Sequence, residues 1–287
     1  MADERVSGPG TTAVFTAKMR ALETDRPQPL IVDPLAQSFV DASGLDYGMV
    51  SVSAMTGQRL FESNVIRTWW LDREVRAAIA AGCVQVVILG SGLDSRAFRL
   101  ATPGTKFFEV ESSALAAFKR DAIAATGRSP VGEWSQVEVG IDDEWPAALA
   151  AGGYDATVPT CWVAEGMFYL TDDEASRVLT AARSMSAPGS RFLAAHFGQG
   201  LVGRSSDARD VDGGAGALRS GVRFGGSRSI LVGAESRVGD RLGPHHRGRR
   251  SGARQKGRVL DCGEAWHGVH VVDQHALLVS ASSTWRL

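Results

Sequence analysis

Histidine is missing from the first 195 residues of this 287-residue chain, and all six copies lie at or after His196. Two-thirds of the sequence therefore lacks the commonest general base. Cysteine is nearly as scarce: Cys83, Cys161 and Cys262 are odd in number and far apart, which excludes a disulfide framework and any paired-thiol metal site and leaves ordinary reduced thiols. No run approaches the roughly 20 apolar residues of a membrane span. The opening Met1-Ala2-Asp3-Glu4-Arg5 is polar with no apolar stretch behind it, so the expectation is a soluble, cytoplasmic protein with no membrane partner. Net charge is close to balanced at −1, which singles out no acidic or basic partner.

That balance conceals a division. Residues 1–196 hold 17 Lys+Arg against 24 Asp+Glu, whereas residues 197–287 hold 14 against 8 and carry 17 of the 33 glycines. The division predicts three regions: an N-terminal helical lid over 1–82, a core over 83–196, and an irregular, Gly/Arg/His-rich region over 197–287.

Apolar periodicity gives the first two regions their form. Val14, Phe15, Met19 and Leu22 predict a helix over 11–24. Asp33-Pro34 reads as the cap and first position of a second helix, and a longer one runs from about Gly57 to Ala81. Trp69 and Trp70 on it read as packing between lid and core. From Val84 strands and helices alternate: strand 84–89, helix 95–100, strand 106–110, helix 113–126, strand 135–139, helix 145–151, strand 160–164, a helix opened by the capping box Thr171-Asp172-Asp173-Glu174, and strand 191–195. Nearly continuous apolar strands separated by helices predict a doubly wound α/β fold with a mainly parallel, Rossmann-like sheet. Beyond His196 only Val269–Val279 resembles a strand.

The most informative stretch is Val86-Val87-Ile88-Leu89-Gly90-Ser91-Gly92-Leu93-Asp94-Ser95-Arg96, an apolar strand entering a glycine-bracketed turn and then a helix start. Gly90 and Gly92 remove side chains that would hold a ligand away from the backbone. Glu111 ends the next strand 21 residues after Gly90, near the spacing of about 20 at which an acid accepts the hydroxyls of an adenosine ribose. Turn and acid together predict an adenosine cofactor. The third glycine of a dinucleotide fingerprint is replaced by Ser95, which weighs against, without excluding, an NAD(P)-dependent oxidoreductase.

Three segments in order, Leu89–Arg96, Phe108-Glu109-Val110-Glu111 and Trp162-Val163-Ala164-Glu165-Gly166, resemble the leucine carboxyl methyltransferase-like family, in particular its bacterial branch of S-adenosyl-L-methionine-dependent methyltransferases. Thr12-Ala13, Arg20-Ala21-Leu22-Glu23-Thr24 and Asp33-Pro34 fit the same pattern, and the resemblance spans residues 7–196. It implies S-adenosyl-L-methionine as cofactor, with Arg67 on the methionine carboxylate, Gly90 and Gly92 at the backbone approach, Asp94 in the turn, Glu111 on the ribose and Glu165 at the end of the fourth strand. Gly140-Ile141 stands where the family has an Asp-Leu pair touching the adenine. Losing that acceptor predicts about 1–3 kcal/mol weaker adenine binding, which Asp142 or Asp143 could restore only by a local shift.

Each residue also has a plainer reading: Arg67 as an exposed helix arginine, Glu109 as a surface partner of Lys106, Glu165 as a cap of the next turn. In-line methyl transfer requires no metal, and the missing histidine suits an acceptor that is already anionic, such as a carboxylate. For a phenol, enol or hydroxyl acceptor, Glu165, Tyr169 or Asp94 would be the candidate bases. The expected partner is a small-molecule methyl acceptor. The basic run His245–Arg258 lacks interleaved aromatics, which argues for a solvated segment over a specific nucleic-acid contact, and His267, His270 and His275 lack the further ligands of a metal site. Residues 197–287 do not resemble the family's closing strands. A frame-shifted reading of a GC-rich gene and a natural flexible tail both account for their composition, and either predicts impaired turnover or a non-catalytic cofactor-binding remnant.

Overall fold

Along strand β1 (Gln85–Leu89), Val86 and Ile88 point to one side and Val87 and Leu89 to the other, and all four are at most 1% exposed. A strand buried on both faces belongs in the middle of a covered sheet, and β1 occupies that position. The computed structural model describes residues 2–45, 54–166, 170, 172–196 and 266–273. Its sheet is all parallel, in the order β3 (Glu133–Glu138), β2 (Lys106–Glu111), β1, β4 (Thr160–Ala164), β5 (Ser190–His196), β6 (Trp266–Asp273).

The side holding Val86 and Ile88 is covered by α3 (Ala54–Ala80) through Trp70, Leu71, Val75 and Ala78, with Trp69 partly buried beside them, so both tryptophans serve packing as expected. Leu89 and Val87 face α6 (Trp145–Ala151) and α7 (Asp172–Ser184), around a fully buried Trp162 whose indole N–H donates to Ser186 Oγ at 2.9 Å. The remaining helices, α1 (Pro9–Thr24), α2 (Ala36–Ser43) and α5 (Ser113–Ala124), share a third cluster of Val14, Phe39, Leu93, Leu115 and Phe118. Edge-on contact of Phe98 with Trp134, 5.1 Å between ring centroids, joins that cluster to the α3 side.

Expected and observed elements agree to within a few residues except for the late strand, and two of the differences have local causes. Helix α2 starts at Ala36, not at Pro34, because the Asp33 carboxylate accepts from Leu35 N (3.1 Å) and its carbonyl from Ala36 N (3.3 Å), forming a turn ahead of the helix. Glu109 is not a surface partner of Lys106. Its alternation on β2 buries it completely, and it pairs with the equally buried Lys119 of α5 at 2.6 Å, while Lys106 pairs across the strands with Glu133 at 3.1 Å. Burial pushes the Glu109 carboxyl up despite Lys119. The late strand covers Trp266–Asp273, overlapping the expected one only from Val269, and its Val271 and Val272 lie in register with Ala194 and Ala195.

Thr171 of the capping box, Tyr169, Cys262, the basic run His245–Arg258 and His275 lie outside the described residues. Cys83 and Cys161 are buried free thiols, and burial raises both above the ordinary range, as suits inert core residues. Among the described residues no helix is long and apolar enough to cross a membrane.

Candidate functional site

Strand order reverses across β1: β2 follows it on one side and β4 joins it on the other. Such a reversal opens a crevice at the carboxyl ends of the strands, and the turns leaving β1 and β4 carry the residues singled out above. Gly90 and Gly92 have φ of +59° and +48°, conformations that cost a side-chain-bearing residue about 1 kcal/mol or more. A Cβ on Gly92 would also stand 3.1 Å from Ala13 Cβ, because α1 lies directly against this turn. Arg20 secures that docking, donating to Leu93 O at 2.6 Å and to Asp33 at 2.7 Å. Burial would raise the Asp33 carboxyl, yet Arg20, Arg99 and the Ser95 hydroxyl hold it below its ordinary range.

The helix after the turn, α4 (Arg96–Arg99), is a single turn, too short for a substantial dipole. Its contribution is two buried arginines. Arg96, 1% exposed, pairs with Asp72 (2.9 Å), Glu165 (2.7 Å) and Asp94, whose other oxygen accepts from Arg96 N at 2.7 Å. Arg99 pairs with Asp72 and donates to Ser95 Oγ at 2.8 Å. Asp94 is therefore a structural acid of the turn, engaged by Arg96. Arg67 is not an exposed helix arginine: its side chain is 6% exposed and its Nε lies 2.7 Å from Glu165 Oε1. Nor does Glu165 serve as a cap, since its two oxygens receive one guanidinium each. Burial alone would raise its carboxyl, but Arg96 and then Arg67 hold it far below the usual carboxylate range.

On the other side of the turn, Glu111 Oε2 accepts from Gly92 N (2.7 Å), and Oε1 from Ser112 N (2.7 Å) and Ser112 Oγ (2.9 Å). The longer side chain folds back, leaving the half-buried carboxylate at the crevice beside the glycine turn. Farther along, beyond β3, Gly140 lines an open cavity of about 770 Å³ with Ser112, Ser113, Asp142 and Asp143. Ile141 packs partly buried against the α6 side of the core. The Asp143 carboxylate stands 2.7 Å from where a Cβ on Gly140 would be.

Arg67, Glu165, Asp94 and the turn thus converge at the reversal, Glu111 lies one strand over, and Gly140 one strand farther. Sequence reasoning missed the hub formed by Asp72, Arg96 and Arg99. Its available signal was an acid in the apolar Trp70-Leu71-Asp72 stretch of a core-facing helix together with arginines at i and i+3 just after the turn.

A family model described as leucine carboxyl methyltransferase matches residues 13–183, more than half of the chain. The chain belongs to the leucine carboxyl methyltransferase family. A Streptomyces avermitilis protein is 42% identical over 210 residues, covering 70% of this chain and 74% of its own. Another, from Mycolicibacterium smegmatis, is 39% identical over 211 residues, covering 70% and 71%. Both bear the name "Putative S-adenosyl-L-methionine-dependent methyltransferase". A solved structure from Thermobifida fusca YX, described as "a putative methyltransferase", matches at 20% identity with a TM-score of 0.41 over 64% of this chain and 68% of its own, which adds nothing to the topology above. Membership of this family sets the dinucleotide oxidoreductase alternative aside.

Proposed function

We propose that this member of the leucine carboxyl methyltransferase family methylates a carboxylate oxygen of a small molecule. The protein is a methyltransferase and its cofactor is S-adenosyl-L-methionine. The residues present suit that group: a side-chain-free turn at Gly90 and Gly92, a hydroxyl-accepting carboxylate at Glu111, and a planar guanidinium at Arg67. Arg67 would take the methionine carboxylate, Glu165 the adjacent ammonium, Glu111 the ribose hydroxyls, and the loop at Gly140-Ile141 the base. Residues 1–82 act as the cover, with α1 seated on the turn through Ala13 and Arg20.

When bound, the sulfonium supplies an electrophilic methyl group and departs as a neutral thioether. The chain's own task is alignment and exclusion of water. One observation carries the choice of acceptor: of the candidate bases, the two among the described residues, Asp94 and Glu165, are held by arginines, and Glu165 is strongly depressed as a base. Such a group cannot take a proton from an alcohol or phenol at neutral pH. A carboxylate acceptor would need no base, since its oxygen would form the new C–O bond as the C–S bond broke, the electron pair staying on sulfur. The test is methyl transfer from labelled cofactor into separate pools of carboxylic acids and of phenols and alcohols. Label is expected in products that release methanol in mild alkali. Label only in alkali-stable ethers would refute the carboxylate assignment, and full-chain protein that binds S-adenosylhomocysteine without turnover on any pool would favour a cofactor-binding remnant.

A further inference from the structure

We infer that Asn64 is a specificity-determining residue for the methyl acceptor: its side-chain oxygen takes a hydrogen bond from an N–H or O–H group that the acceptor carries beside its carboxylate. This rests on the carboxylate reading above. Among the described residues three buried side-chain polar atoms make no hydrogen bond: Asn64 Oδ1, Glu109 Oε1 and Trp134 Nε1. Two of these are complementary neighbours. Trp134 stands in register with Phe107, and alternation puts Phe107 and Glu109 on one face of β2, so an orphan donor and an orphan acceptor share that face of adjacent strands. Asn64 Oδ1 has no such counterpart among them, although the residue is only 5% exposed. Native folds rarely leave a buried acceptor unmet, and one at the mouth of a binding crevice calls for a ligand that meets it.

Its place along α3 says which ligand. Asn64 shares a helix face with Arg67, Thr68 and Leu71, and Leu71 packs against the sheet. The helix descends toward the start of β1: Ala78 O accepts from Cys83 N at 3.0 Å, whereas Asp72 meets Arg96 past the end of β1 and Arg67 meets Glu165 past the end of β4. Falling residue number therefore leads away from the strand ends, and Asn64 stands about 4.5 Å beyond Arg67 along the helix axis. On the reading above, Arg67 and Glu165 match both charges of the cofactor's amino-acid end. The acceptor of an in-line displacement cannot share the strand-end floor that the cofactor occupies, so it takes the space beyond, under the outer turns of α3. An ionised carboxylate has no N–H or O–H of its own, and an amide oxygen only accepts. The donor that satisfies Asn64 must therefore sit next to the carboxylate, as the hydroxyl of a 2-hydroxy acid or the amide N–H of an N-acylamino acid does. Acids without that donor leave the oxygen stranded once water is excluded, and are disfavoured.

The experiment gives the full-length chain labelled S-adenosyl-L-methionine and two matched pools. One holds 2-hydroxy acids and N-acylamino acids; the other holds their 2-methoxy and N-methyl counterparts, which keep the skeleton and lose the donor. Alkali-labile label is expected in the first pool about 10-fold or more over the second, the size of one hydrogen bond, and the acids labelled tell a hydroxyl from an amide donor. Asn64→Leu, of similar volume but without the acceptor, should abolish that preference by raising KM for donor-bearing acids alone. Asn64→Gln, which keeps an amide oxygen, should retain part of it. By isothermal titration S-adenosylhomocysteine should bind Asn64→Leu as it binds wild type, and the variant should melt no lower, since the substitution relieves an unmet buried acceptor. Equal labelling of the two pools by wild type, or a preference that survives Asn64→Leu, would overturn the inference and leave the carboxylate reading intact. So would a 10-fold loss of S-adenosylhomocysteine affinity, which would give the oxygen to the cofactor, or a clearly lower melting temperature, which would give it to the fold. Esters in neither pool from protein that binds S-adenosylhomocysteine would overturn both.

Discussion

Changing Glu165 to glutamine removes one negative charge where two guanidiniums converge and alters shape very little. Arg67 Nε and Arg96 Nη1 each lie 2.7 Å from one carboxylate oxygen, and the two arginine side chains are 6% and 1% exposed. Arg96 keeps Asp72 and Asp94, whereas Arg67 loses a full counter-charge. Removing one partner of a buried pair costs about 3–5 kcal/mol. Glu165 is 16% exposed, and the glutamine carbonyl still accepts one hydrogen bond, so the expected loss is about 2–3 kcal/mol. For a unit of this size that lowers Tm by about 4–12 °C. The loss has a definite pH sign. The folded carboxyl titrates below its ordinary 4.5, so between the two values the unfolded chain binds more protons and stability falls as pH falls. The gap between wild type and Glu165→Gln should be complete at neutral pH, begin to close below about pH 5, and narrow further toward pH 3. Urea midpoints for both proteins across that range measure it. No gap at pH 7, or one that stays constant to pH 3, would show that the arginines do not depend on this charge, and the electrostatic account of the crevice would fall with it.

Glu111→Ala should weaken S-adenosylhomocysteine about 10- to 100-fold by titration, the loss of one or two hydrogen bonds to a charged acceptor, while melting moves little because the carboxylate is half-exposed; an unchanged affinity would remove Glu111 from the ribose. The buried Glu109–Lys119 pair predicts a non-additive cycle. Lys119→Met alone strands a carboxylate and costs about 3–5 kcal/mol at neutral pH, whereas Glu109→Leu with Lys119→Met recovers most of it in denaturant midpoints. Burial already raises the Glu109 carboxyl, so the folded state of Lys119→Met binds the extra proton and its stability falls as pH rises from 4.5 through the folded value, while the double variant shows no such slope.

Most of the architecture could be read in advance because local and global signals coincide. The strand Val86-Val87-Ile88-Leu89 is apolar on both faces and is in fact central; Ser113–Ala124 and Trp145–Ala151 end almost where their patterns did. Helix α2 shows the limit. Pro34 at a first helical position is a sound local rule, and the competing Asp33 turn, strengthened by the distant Arg20, displaced it by two residues. Geometry at the candidate site was legible where it is local: Gly90 and Gly92 do form a positive-φ turn, and the Glu111 carboxylate lies beside it. It was not where partners are remote in the chain. Nothing near Glu109 in the sequence points to Lys119 on the following helix, and nothing near Arg96 points to Asp72, 24 residues earlier. A charge inside a core-facing segment announces that a partner exists without saying which one it is.

On the proposed reading, that same hub would let one site be both stable and ready for a zwitterion. Arg20, Arg67, Arg96 and Arg99 are matched by Asp33, Asp72, Asp94 and Glu165, four charges of each sign. Of these, Arg20 with Asp33 fastens α1, and Asp72 with Arg96 and Arg99 fastens α3 to the turn, so those pairs are consumed by the fold. Arg67 with Glu165 sits at the open end, between α3 and β4. On the proposed reading, the amino-acid end of the cofactor enters there with its carboxylate toward Arg67 and its ammonium toward Glu165, exchanging one ion pair for two without changing the net charge. A neutral pocket would have to desolvate both ligand charges uncompensated, and a pocket of one sign would repel one of them. Arg96 would make that exchange feasible, because it would keep Glu165 ionised and fixed by its second oxygen while the first was given over to the ligand.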